Sequence, residues 1–83
     1  MVVPWRDPKT RMVGLKQTLR ALLQDRVTLV YVADDVDDHI KRKVAVACAE
    51  RGVELRSAGM SQAELGSMCR IEVGAAVVSV LKD

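Results

Sequence analysis

The feature that most constrains this chain is a regular switch in the spacing of its apolar residues, between every third or fourth position and short β-branched runs. These two spacings belong to helix and strand. Leu15, Leu19, Leu22 and Leu23 recur at helical intervals and leave Lys16, Gln17, Arg20 and Gln24 on the other side, so an amphipathic helix is expected directly after Gly14. Residues 27–33 are rich in β-branched side chains and closed by Asp34-Asp35, as a buried strand would be. Asp37 or Asp38 is placed to cap a helix with apolar positions Ile40, Val44, Ala47 and Cys48, and Gly52 is placed to end it. A strand over 53–56 follows. Ser61 and Glu64 have the spacing of a capping box and open a short helix with Leu65, Met68 and Cys69 facing inward. Residues 75–81 are apolar on both faces, the pattern of a central strand covered by helices, and residues 11–13 suit a short extra strand.

Strands alternating with helices of this length predict an α/β chain, a three-layer α/β/α sandwich around a small mixed sheet, because each helix must bury its stripe against one sheet face. Eighty-three residues suffice for one core, so residues 1–83 are expected to form a single domain. A composition of 49% hydrophobic and 29% charged residues is that of a folded chain, far from the low hydrophobicity of disorder. The longest apolar run, 75–81, is broken by Ser79 and is much shorter than the roughly 20 residues of a membrane-spanning helix. The first residues lack the basic and apolar pattern of a signal peptide, which makes the cytoplasm the expected location and a membrane an unexpected partner.

Catalytic devices are missing from the pattern. Neither a Gly-x-Gly-x-x-Gly turn nor a Gly-x-x-x-x-Gly-Lys phosphate loop occurs, so nucleotide cofactors held by those devices are excluded. His39 lies at the end of Asp34-Asp35-Val36-Asp37-Asp38, which invites a metal reading. A calcium loop, however, would want glycine at its sixth position and glutamate at its twelfth, where this chain has His39 and Ala45. An acidic turn entering a helix, with carboxylates favoured by the helix dipole, explains the cluster without a metal. Cys48 and Cys69 stand singly inside periodic apolar stretches and read as small buried hydrophobes. With one histidine and no placed nucleophile, no enzyme, cofactor or small-molecule substrate is expected.

Charge and the scarcity of rings point elsewhere. The net charge is only +2, but residues 1–26 hold six cations (Arg6, Lys9, Arg11, Lys16, Arg20, Arg26) against Asp7 and Asp25, whereas the rest of the chain is mildly acidic. A basic first third is what a localised phosphate-contacting face would look like. Trp5 and Tyr31 are the only aromatic residues, so a platform that stacks successive bases on exposed rings is not expected.

Two segments carry candidate chemistry. In the first, Gly14-Leu15-Lys16-Gln17-Thr18-Leu19-Arg20, the side chains of Lys16 and Arg20 share a helix face and Gln17 lies beside them in the first turn. A lysine or arginine donates to guanine O6 and N7 or to phosphate, a glutamine amide both donates and accepts at a base edge, and free N–H groups at a helix start attract anions. A solvated polar helix face would show the same residues. In the second segment, Cys69-Arg70-Ile71-Glu72-Val73-Gly74-Ala75-Ala76, the bulky Ile71 and Val73 fall in a loop between a helix end and a strand start. They either tuck into the core or form an apolar lip against an unstacked nucleotide, with Arg70 supplying charge at its edge.

Taken together and in this order, Gly14-x-Lys16-Gln17-Thr18-x-Arg20, Val32-Ala33-Asp34-Asp35 and Leu65-Gly66-x-x-Cys69-x-Ile71-Glu72-Val73-Gly74-Ala75-Ala76 resemble the family of large-subunit ribosomal protein seven-Ae, the kink-turn RNA binders, and in particular its short bacterial members. The resemblance covers nearly the whole chain. It implies an α/β/α sandwich that binds a sharply bent RNA helix built around tandem sheared G·A pairs. It carries the groove-entering helix start to Gly14, Lys16, Gln17 and Arg20, and the loop that covers a flipped-out bulge nucleotide to Ile71, Glu72 and Val73; Arg70 is added on electrostatic grounds. Archaeal and eukaryotic members usually have Asn-Glu where this chain has Lys16-Gln17, and lysine at the position of Arg20. The expected partner is therefore a kink-turn RNA, ribosomal or within a riboswitch, bound by a monomer. The competing expectation is a non-catalytic protein-interaction module on the same fold.

Overall fold

The computed structural model describes residues 10–69 and 74–82. In chain order they form β1 (Arg11–Val13), α1 (Leu15–Leu23), β2 (Val27–Val32), α2 (Asp38–Arg51), β3 (Glu54–Ser57), α3 (Gln62–Met68) and β4 (Val77–Leu81). Every expected element is present and of the expected type. The sheet order is β1-β4-β2-β3, with β4 antiparallel to both β1 and β2, and β3 parallel to β2. The two most apolar strands, β2 and β4, thus occupy the centre, where both faces lose water. Val30, Val77 and Val78 are fully buried there.

Topology then decides where the helices lie. The crossovers from β1 to β2 and from β2 to β3 join parallel strands and step across the sheet in the same direction. Right-handed crossovers put both connecting helices on one face, and α1 and α2 do pack side by side. That face carries Met12, Ser79, Val30 and Leu55, which are paired across the four strands. The connection from β3 to β4 joins antiparallel strands, and α3 lies over the opposite face, where the Arg11 guanidinium donates to the Cys69 carbonyl at its end (2.7 Å). These are the three layers of an α/β/α sandwich.

Helix ends follow local chemistry. Ser61 and Glu64 form the capping box at the start of α3, the side chain of each bonded to the backbone N–H of the other. Gly52 ends α2 in the left-handed region (φ 65), with Val53 N–H bonding back to the Cys48 carbonyl and Gly52 N–H to that of Ala49. The end of α1 has the same pattern, Arg26 N–H to Ala21 O and Asp25 N–H to Leu22 O, with Asp25 at φ 55 in the position glycine usually takes. Asp37 precedes α2 as expected, although its side chain makes no capping bond.

Two side chains depart from their expected burial. Leu23 is 68% exposed and Met68 is 39% exposed. Each sits one residue, about 100° of helix rotation, from a better-placed neighbour: Leu22 fills the α1 contact and Cys69 fills that of α3, one turn after the buried Leu65. Cys48 and Cys69 are buried free thiols, and burial pushes both pKa values up, against a weaker opposing effect of Arg11 on Cys69.

Candidate nucleic-acid interface

The start of α1 is shaped by Gly14. Its backbone lies at φ 108 and ψ 154, a region that side-chain-bearing residues essentially never occupy. Two bonds hold it there: Gly14 N–H donates to the Val77 carbonyl (2.8 Å), and its own carbonyl accepts the first helical bond from Thr18 N–H (3.0 Å). A Cβ built on Gly14 would meet nothing within 4 Å, so the glycine is required by its dihedral angles and not by crowding. The same open space lets another molecule approach the backbone closely. Among the described residues no side chain caps the helix, and no acid stands in its first turn, which leaves the positive end of the helix dipole open to an anion.

The rotation of α1 is fixed from inside. Thr18 is fully buried, and its hydroxyl donates to Ser79 Oγ (3.2 Å), which in turn donates to the Met12 carbonyl (3.4 Å). With Thr18, Ala21 and Leu22 turned into the core, Lys16, Gln17 and Arg20 are exposed. The expected grouping of these three on the open face of a glycine-led helix is therefore present, and among the described residues no ion pair or side-chain hydrogen bond engages Lys16 or Arg20.

Of the second segment, Arg70, Ile71, Glu72 and Val73 lie outside the described residues. Its flanks are well anchored. The Cys69 carbonyl is held by Arg11, and Ala75 N–H donates to the Gln62 carbonyl (2.9 Å). The Ala76 carbonyl accepts from Ala33 N–H, and the Val77 carbonyl is the acceptor for Gly14. The segment thus leads into the very turn of chain that holds the start of α1. The loops after β1, β2 and β3 gather at this same end, because all three strands point toward it.

The acidic turn after β2 serves the scaffold. The Asp34 carboxylate accepts from the Ser57 hydroxyl and from Gly59 N–H (3.2 Å), tying it to the loop after β3. The Asp35 carboxylate accepts from Gln62 N–H (2.8 Å) at the start of α3, where the dipole favours it. Among the described residues no group of His, Cys, Asp and Glu is arranged to hold a metal ion. Tyr31 is buried, so its ring offers no stacking surface. No helix of the described residues is long and apolar enough to cross a membrane. Sequence reasoning missed Arg11 and Ser79 as the residues that fix the two candidate segments, since their partners lie 58 and 61 positions away and neither leaves a local signal.

Comparison with known proteins agrees with this geometry. The sequence profile of the ribosomal protein L7Ae/L30e/S12e/Gadd45 family matches residues 4–83. The chain belongs to this family. Among its relatives is an RNA-binding protein of Caldanaerobacter subterraneus subsp. tengcongensis, 43% identical over 72 residues, or 87% of each chain. Another is RNA-binding protein YbxF of Geobacillus stearothermophilus, 42% identical over 86% of this chain and 85% of that one. Among solved structures, the Giardia lamblia 15.5 kD RNA-binding protein superposes with a TM-score of 0.78 at 26% identity, over 90% of this chain and 62% of that one. A protein of unknown function from Bacillus halodurans shares the fold, with a TM-score of 0.81 at 23% identity over 89% of this chain and 73% of that one. Both the family resemblance and the sandwich expected from the sequence are borne out, the relatives being short bacterial members of this family.

Proposed function

We propose that this chain is a structure-specific RNA-binding protein, not an enzyme, and that its target is a kink-turn: a bent duplex with tandem sheared G·A pairs and a bulge nucleotide turned outward. The observation that carries the reading is the open, uncapped start of α1, where Gly14 exposes backbone and Lys16, Gln17 and Arg20 stand together on the surface. Relatives named as RNA-binding proteins, at 43% and 42% identity over most of the chain, support the RNA partner. In this reading Lys16 and Arg20 donate to guanine acceptors and phosphates, Gln17 hydrogen-bonds a base edge, and the helix dipole adds a favourable field. Ile71, Glu72 and Val73 are the residues assigned to cover the turned-out nucleotide, with Arg70 supplying charge at its edge. The protein acts as a single-domain monomer on a ribosomal or regulatory RNA.

No bond is made or broken in this mechanism. An RNA with a kink-turn sequence exchanges between extended and bent forms, and contacts available only in the bent form shift that equilibrium by their differential affinity. Lys16→Ala and Arg20→Ala should each weaken binding of a kinked RNA by ~1–3 kcal/mol, the scale of a good base-edge contact. Both residues are exposed, so thermal unfolding should be little changed. Titration of a labelled RNA against the two variants checks this; unchanged affinity with both side chains removed would refute the assignment.

A further inference from the structure

The partners of the cations divide this molecule's surface. Of its thirteen lysines and arginines, Arg6, Lys9 and Arg70 lie outside the described residues, which leaves ten. Five of these are engaged within the protein: Arg11 with the Cys69 carbonyl, Arg26 with Gln24, Lys41 with the Asp34 carbonyl, Arg51 with Asp25 and Arg56 with Glu54. Lys16, Arg20, Arg42, Lys43 and Lys82 have no such bond among the described residues. Four of those five are on α1 and α2, the two helices that cover one face of the sheet side by side.

Their positions along the helices coincide as well. Both helices start at the end of the sheet that holds Gly14 and run in the same direction, since each follows a strand parallel to the other's. Lys16 and Arg20 are one turn apart near the start of α1. Lys43 lines the same hollow as Leu19 and Leu23, the residues on either side of Arg20 along the helix, and Arg42 and Lys43 line a second hollow with His39 and Val46. Asp38, one turn ahead of Arg42, makes no ion pair with it, and Glu50, which lines the far part of the hollow of Lys43, lies about two turns further down α2 and pairs with neither cation. The upper part of the α1–α2 surface therefore carries four cations that no carboxylate of the described residues neutralises by contact.

We propose that Arg42 and Lys43 extend the RNA-binding surface, so that α1 and α2 together form a phosphate track along which one duplex arm of the bound RNA runs beyond the bend. The proposal rests on the RNA reading above and adds to it a part of the ligand, the backbone of an arm, that the start of α1 does not reach. Such contacts carry no base information; they set the orientation of the arm and the salt dependence of binding. The exposed Leu23 and Val46 lie beside the track, toward the far end of the helices.

The test compares the full chain with its R42Q/K43Q variant on two kinked RNAs, one with both arms long and one with each arm trimmed close to the bend, over a series of salt concentrations. On the long RNA the variant should bind about three- to tenfold more weakly and lose about 1–2 from the slope of log affinity against log salt. On the trimmed RNA the two proteins should bind alike, and the loss on replacing the G·A pairs should be equal for both. Wild-type affinity and slope for the variant on the long RNA would overturn the track and leave the α1–α2 face as a surface for a protein partner. Equal losses on both RNAs would overturn it too, by putting the two residues at the bend. Failure of the unaltered protein to bind either RNA would instead overturn the reading on which the track rests.

Discussion

Gly14 is the residue on which geometry and the proposed function meet most closely. Its backbone angles exclude other residues although there is space for a side chain, so Gly14→Ala should destabilise the fold through strain, by ~1–3 kcal/mol. It should also weaken RNA binding by more than the loss of folded protein explains, because a methyl group would stand at the proposed RNA contact. Chemical denaturation beside a binding titration checks both, and an unstrained, fully binding variant would contradict the account. Much at this scale was legible in the sequence: Gly52, Ser61 and Glu64 lie where their types are favoured by backbone conformation or capping. Asp25 was not, because an aspartate in the left-handed region looks in sequence like any surface acid. Leu23 and Met68 were misjudged because a helical stripe is about 100° wide, and only the packed neighbours decide which edge residue is covered.

At the scale of elements, the acidic turn after β2 shows how a cluster that suggests a metal in sequence is used by the scaffold. Asp34 joins the ends of β2 and β3, and Asp35 caps α3, so two carboxylates hold three elements in place at the candidate interface. Asp34→Ala should cost ~1–3 kcal/mol, since it removes the acceptor of the Ser57 hydroxyl and one of the two acceptors of Gly59 N–H, with solvent lowering the figure because the site is exposed. Thermal melts of the variant measure this, and an unchanged midpoint would show that the bonds contribute nothing. Element types were legible because period and β-branching changed sharply at each boundary, and the boundaries themselves shifted by one or two residues. The strand expected over 53–56 is Glu54–Ser57, and the one over 75–81 begins at Val77, where ladder bonding to β2 and β1 starts. What no local pattern could supply was the pairing of elements: the bonds from Thr18 to Ser79 and from Arg11 to Cys69 exist only once β4 lies between β1 and β2.

For the whole molecule, the sandwich brings the anchors of separate sequence motifs to one end of the sheet. Three strands point toward a common end, the start of α1 is pinned to the chain entering β4, and the segment 70–73 leads into that same chain. The sequence showed which residues to group, through motif order and the resemblance they carry; it did not show the free cations of α2, which look like any solvated helix face until their partners are known. The central claim is that this surface selects a bent RNA. Its most direct test is the affinity of the full chain for a short duplex carrying a kink-turn, against the same duplex with its G·A pairs replaced by Watson–Crick pairs. The account predicts a preference of about tenfold or more for the kinked RNA, the scale of one good base-edge contact or more. Equal affinity for the two duplexes would contradict it.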